Sequence, residues 1–139
     1  MERTSFFSAV YKWVASTEMF ARPSKQLPGK WLLFEYYTEQ NTQLINYKED
    51  QLKSMKRFWE LVFETDGKLV QDSNIPIELL KEAGSVKWQT SRNFLILKGL
   101  NDPESSVEFQ FAISNGVLKL LKKYADGKIE FFGFFRKLS

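Results

Sequence analysis

The sequence predicts a mainly β fold, an eight-stranded antiparallel up-and-down barrel preceded by one helix. From Trp31 onward, short apolar and aromatic stretches follow one another, and nearly all of them are joined by tight turns that contain Gly, Asn or Asp. The length of 139 residues is enough for one domain with one core. Because short local connections favour neighbouring antiparallel strands, and eight strands suffice to close a sheet, we expect a barrel without free edges.

The first predicted element is an amphipathic helix over residues 4–20. Thr4 or Ser5 can cap it, and apolar residues recur on one side at spacings of three and four: Phe6, Phe7, Val10, Trp13, Val14 and Phe20. Two prolines in residues 21–28 end the helix. We therefore divide the chain into residues 1–26, a helix and linker that pack on the barrel, and residues 27–139, the barrel.

The eight predicted strands are residues 31–38, 57–64, 68–71, 85–89, 94–98, 107–113, 117–124 and 129–136. The sequence Thr65-Asp66-Gly67 is typical of a hairpin turn, where glycine adopts the required positive φ. Residues 39–55 are predicted as a polar connection with a helical turn over 49–55.

Composition excludes several kinds of chemistry. The chain has no cysteine and no histidine, so it has no disulfide, no thiol nucleophile and no histidine-based triad or metal site. No paired carboxylates suggest a hydrolase, and we expect a non-enzymatic protein without cofactor or metal. The net charge of +3 does not indicate a nucleic-acid partner.

The start of the chain bears on its location. No apolar run approaches the roughly 18–20 residues of a membrane span. The first residues lack a small-residue cleavage site, so the expectation is a cytoplasmic protein as written, or a periplasmic or secreted one if a signal was removed. The expected state is a monomer or a homodimer.

Three residues carry a family resemblance. Gly29 and Trp31 open the first strand, and Arg136 lies near the end of the last. This arrangement resembles the calycin signature of lipocalins and fatty-acid-binding proteins, in which an arginine of the final strand covers the tryptophan at the closed end. A guanidinium stacks well on an indole face.

The chain is also similar to short bacterial lipocalin-like domains over residues 27–138. The matching residues are Gly29 and Trp31, then Phe63 with Asp66, Gly67 and Lys68, then Gly84 and Trp88, and finally 131–136. The second lipocalin motif, a Thr-Asp-Tyr type of loop, has no counterpart, and we expect the helix that follows the barrel in classical lipocalins to be missing. The resemblance implies a barrel that holds a small apolar molecule.

With Trp31 facing inward, strict alternation directs Glu35 and Tyr37 inward and Leu32, Phe34 and Tyr36 outward. An inward Glu35 would either orient a polar ligand group or pair with Arg57. Residues expected to line the interior also include Trp59, Leu61, Phe63, Trp88, Phe94, Ile96, Val107, Phe109, Phe111, Ile113, Leu118, Leu120, Tyr124, Phe131 and Phe135.

Two functional hypotheses follow. In the first, an amphipathic or apolar ligand binds inside the barrel, and the candidate contacts are Glu35, Tyr37, Arg57, Trp59, Trp88, Phe109, Phe111 and Tyr124. In the second, the aromatic interior is solid and the protein contacts a partner through its outer surface and its N-terminal helix. The apolar outer side of the first strand requires a cover, which is either that helix or a second copy of the chain.

Overall fold

A computed structural model describes residues 25–75, 84–99 and 106–138, which contain nine strands and one short helix. Their bounds are β1 Gly29–Gln40, β2 Gln43–Tyr47, α1 Glu49–Ser54, β3 Trp59–Phe63, β4 Lys68–Ser73, β5 Gly84–Ser91, β6 Phe94–Gly99, β7 Ser106–Ser114, β8 Val117–Lys123 and β9 Ile129–Lys137. The predicted helix over residues 4–20 lies outside the described residues.

The strands form a closed barrel. All neighbours pair antiparallel in the order β2-β1-β3-β4-β5-β6-β7-β8-β9, and β9 also pairs with β1. Strands β1 and β3 to β9 make up the eight-stranded wall, while β2 pairs only with the second half of β1. The predicted eight-stranded up-and-down barrel is confirmed.

The connection between β1 and β3 contains more structure than its polar sequence indicates. Asn41 and Thr42 both have positive φ, and this tight turn folds β2 back on β1. The predicted helical turn is present as α1, whose Leu52 side chain is buried in the core. The strand β2 was missed because its residues do not alternate clearly between apolar and polar.

A β-bulge in β1 reverses the predicted sides of its second half. Leu33 pairs with Phe135 and Glu35 pairs with Phe134, so Phe34 is an extra residue in the ladder. Beyond it, Tyr36 is only 1% exposed and belongs to the core. The prediction that Glu35 and Tyr37 face inward and Tyr36 outward was therefore wrong.

The core fills the barrel with side chains from every strand of the wall. The expected inward rows of β3 and β7 are present, including Trp59, Phe109 and Phe111, each at most 4% exposed. In β6 the buried residues are Leu95 and Leu97, so the expectation of inward Phe94 and Ile96 was wrong by one position. Tyr124 is 48% exposed because it follows the end of β8 and begins the turn to β9.

Trp31 closes one end of the barrel. Its side chain is fully buried, and its indole N–H donates to the backbone oxygen of Leu27 at 2.8 Å. The cation above its ring is Lys137, whose Nζ lies 5.4 Å from the ring centre. The expectation that Arg136 covers Trp31 was wrong, because Trp31 pairs directly with Lys137 and alternation turns Arg136 to the outside.

Candidate functional site

Aromatic rings occupy the middle of the barrel from Phe135 toward the end opposite Trp31, here called the far end. The ring of Trp59 lies 5.6 Å from that of Phe135 and 5.2 Å from that of Phe131. Phe131 stacks on Tyr36 at 5.5 Å, and Tyr36 stacks on Tyr47 at 4.8 Å. These centroid distances are in the range of favourable aromatic pairs, so the rings form a continuous packed row.

Gly133 makes room for this row. A Cβ atom placed on Gly133 would lie 2.6 Å from Cε2 of the Phe131 ring and 3.0 Å from Cδ1 of Leu33. The Phe131 ring therefore lies against the backbone of its own strand. Any residue other than glycine at position 133 would place its side chain there. In this part of the barrel, protein side chains occupy the space that a ligand would fill.

An arginine and two tyrosines form a cluster where the aromatic row reaches the far end of the barrel. The guanidinium carbon of Arg57 is 5.8 Å from the centre of the Tyr47 ring. Arg57 also interacts electrostatically with the Tyr36 hydroxyl. Burial raises the pKa of the Tyr36 hydroxyl, and the nearby positive charge of Arg57 opposes that rise. We call Tyr36, Tyr47 and Arg57 the arginine cluster.

Arg57 has no acidic partner in the described part of the chain. The ion pairs formed there join Lys30 with Glu60, Glu49 with both Lys53 and Arg136, and Lys122 with Glu130, and none includes Arg57. Glu35, the expected partner, accepts instead from Asn46 Nδ2 at 3.0 Å on the other side of the sheet. Among residues 25–75, 84–99 and 106–138, no carboxylate forms an ion pair with the half-buried guanidinium of Arg57.

The expected ligand residues separate into four groups. Arg57 and Trp59 lie together toward the far end, and the fully buried Phe109 and Phe111 belong to the wall of the packed core. Trp88 packs against the hairpin between β3 and β4, with its indole N–H bound to the Glu64 backbone oxygen at 2.9 Å. The remaining three, Glu35, Tyr37 and Tyr124, are not in the interior.

Sequence reasoning missed three residues beside Arg57 and Trp59. Tyr36 was hidden by the bulge, and Tyr47 by the unpredicted strand β2. Gln71 accepts from the Trp59 indole N–H at 3.1 Å and is 8% exposed. The sequence does contain a signal for Gln71. It lies two residues after Leu69 and therefore on the same, buried side of β4.

The outer face of β1 and β9 carries a second aromatic group, here called the outer strip: Phe34, Tyr37, Phe132 and Phe134. Centroid distances between neighbouring rings range from 4.8 Å for Phe132 and Phe134 to 6.4 Å for Phe34 and Phe134. The Arg136 guanidinium lies 4.4 Å from the Phe34 ring centre. The strip is continuous with a small apolar cluster formed by Leu44, Leu121 and Ile129.

A groove of about 310 Å³ crosses β6, β7 and β8. Its lining mixes Phe94 and Leu121 with Glu108, Gln110 and Lys123. It is wide open to water, and its lining includes Val107 but not Tyr36, Tyr47 or Arg57.

The chain matches no protein-family model and no curated protein. Among solved structures, it is similar to a lipocalin-like protein from Bacteroides uniformis ATCC 8492, with 18% sequence identity and a TM-score of 0.47 over 81% of this chain and 98% of that one. The strand pairing itself confirms the closed, eight-stranded antiparallel barrel that the sequence predicted.

Two kinds of feature are absent from residues 25–75, 84–99 and 106–138. No helix there has the length and apolar character to cross a membrane. No group of three or more acidic side chains there could hold a metal ion.

Proposed function

We propose that this protein binds a small amphipathic molecule with an anionic group at the far end of the barrel. The anionic group meets Arg57, and the apolar part lies against the partly buried side chains of Tyr47, Ile75 and Val107, which pack on the core. In this role the protein binds the molecule, and no residue is given a catalytic part.

The proposal rests on the partial burial of Arg57 and on its lack of an acidic partner in the described part of the chain. A partly buried guanidinium loses hydration, and it is normally compensated by a carboxylate or another anion. In the described part of the chain Arg57 has only a phenol and an aromatic face as partners. Its planar donor fork matches a carboxylate or phosphate oxygen pair in two parallel hydrogen bonds.

The packed aromatic row determines how deep the ligand enters. Trp59, Phe131 and Phe135 fill the centre and are at most 4% exposed. A ligand therefore binds over the row, near Tyr47, and Phe109 and Phe111 support the site from behind. Apolar burial supplies most of the affinity, and Arg57 sets the orientation.

Calorimetric titration of the full chain with decanoate tests this proposal, with decanol as the uncharged probe of equal length. We expect Arg57→Gln to weaken decanoate binding by about tenfold or more, the effect of losing one charge-assisted hydrogen-bonded contact. Decanol binding should change little. The matched control, Lys53→Gln, removes an exposed positive charge on α1 and should leave both affinities unchanged.

Equal loss of decanoate affinity in both variants would reduce the role of Arg57 to general attraction between charges. If neither decanoate nor decanol binds to the wild-type chain, the proposal is contradicted. It would favour the second hypothesis, a solid barrel that contacts a partner through its outer surface.

A further inference from the structure

The outer strip is more deeply buried than is expected for side chains on the water-facing side of a barrel. Phe132 points away from the core, yet it is only 4% exposed. Lys119, whose Nζ lies 6.0 Å from the Phe134 ring centre, has its pKa lowered by burial. Both observations indicate an apolar environment on this face.

The chain itself contains a segment of matching chemistry. Residues 4–20 carry Phe6, Val10 and Trp13 at helical spacing on one side, with Lys12 on the other. A large aromatic side chain is a good partner for an aromatic surface, because offset and edge-to-face pairs add to the burial of apolar area.

The geometry of the chain allows this segment to reach the strip. The described residues begin at Lys25, and the next residue, Gln26, accepts from Lys137 Nζ at 3.3 Å through its backbone oxygen. The chain therefore enters beside the end of β9, roughly 10 Å from Phe134 along the strand. The four residues 21–24 span up to about 13 Å, which covers that separation.

The lengths also agree. A helix over residues 4–20 is about 25 Å long. The strip and its apolar cluster extend along β9 from Phe134 to Ile129, roughly 17 Å. One helix that lies along β9 covers the whole strip.

We propose that residues 4–20 form an amphipathic helix whose apolar face, with Phe6, Val10 and Trp13, covers the outer strip of the same chain. The helix completes the barrel on the face of β1 and β9 and removes an aromatic surface from water. This cover is independent of the ligand site at Arg57.

Thiol reactivity tests the cover, because the chain has no natural cysteine. In the full chain, the thiol of a Phe34→Cys variant should react with a soluble disulfide reagent slowly. Adding Trp13→Asp should accelerate the thiol reaction by about tenfold or more, since the aspartate opens the cover. Adding Lys12→Asp, the matched aspartate on the polar side, should leave the rate within about twofold.

Two controls keep the result interpretable. A Lys87→Cys variant reports on the exposed opposite wall, and its reactivity should be the same with and without Trp13→Asp. In the unaltered chain, the amides of residues 4–20 should exchange with deuterium about tenfold or more slowly than in the isolated peptide.

Equal thiol rates with and without Trp13→Asp, or exchange in residues 4–20 as fast as in the peptide, would overturn the proposal. A thiol protected only in a dimer, which becomes reactive on dilution, would assign the strip to a second copy and overturn it as well.

Discussion

Lys137 Nζ lies 5.4 Å from the centre of the Trp31 ring, and the same ammonium is 3.3 Å from the backbone oxygen of Gln26. Trp31 also donates to Leu27. The last strand, the first strand and the segment that precedes it are thus joined at one buried indole, which makes Trp31 the structural centre of the closed end.

Replacing Trp31 tests this role. We expect Trp31→Ala to lower the free energy of unfolding by about 3–5 kcal/mol, because it removes a fully buried aromatic side chain. Trp31→Phe keeps a ring and loses the hydrogen bond to Leu27, so it should cost about 1–3 kcal/mol. Urea unfolding followed by circular dichroism measures both, and equal stability of Trp31→Phe and the wild type would refute the structural role of the bond.

A second prediction concerns the contact of Gly133 with Phe131. Gly133→Ala should destabilise the barrel by about 1–3 kcal/mol, because the new methyl group overlaps the Phe131 ring. Combining Gly133→Ala with Phe131→Leu should be less destabilising than the sum of the single variants, since a smaller side chain relieves the overlap. Additive losses in thermal unfolding would show that the two residues do not compete for space.

The ion pair between Glu49 and Arg136 predicts a dependence on acid. The bond from Arg136 lowers the pKa of the Glu49 carboxyl below its ordinary value of 4.5. A lowered pKa in the folded state means that the pair stabilises the fold above pH 4.5 and that this stability is lost as pH falls through the folded-state pKa.

Carbon-detected NMR titration of the Glu49 carboxyl measures this shift. Arg136→Met should return the pKa toward its ordinary value. Lys53→Met should move it less, because the Lys53 ammonium is 3.9 Å away and has a smaller effect than Arg136. An unchanged pKa in Arg136→Met would contradict the assignment.

Tyr36 predicts a dependence on alkali. Burial raises its pKa above the ordinary value of 10.0, so the folded state holds this proton more tightly than the unfolded state. Its contribution to stability is complete below pH 10.0 and is lost as pH rises through the folded-state pKa. Absorbance titration at 295 nm should therefore show one fewer late-titrating tyrosine in Tyr36→Phe, and identical titration curves would contradict this.

Much of the fold follows from local signals in the sequence. The rows of β3 and β7 alternate cleanly, and the turns at Gly67, Gly116 and Gly127 all have glycine at positive φ. Short connections between such strands leave few arrangements other than an up-and-down barrel. The strand order and the closure of β1 on β9 were predictable for this reason.

The candidate site depends on features that leave no local signal. The first strand is apolar on both sides, so an extra residue at Phe34 does not interrupt its pattern, and the bulge moved Tyr36 into the core. Arg136 and Lys137 are adjacent cations, and only the register of β9 on β1 decides which one meets Trp31. The sequence offered Arg57 as a candidate, but its neighbour Tyr47 lies on a strand that the sequence did not reveal.

Native mass spectrometry of the chain purified from its own host tests the central claim most directly. We expect the wild-type protein to carry a stoichiometric adduct that gentle extraction identifies as an anionic amphipathic molecule, and we expect Arg57→Gln to have lost it. A wild-type protein without adduct, or the same adduct in equal amount on Arg57→Gln, would contradict ligand recognition by Arg57.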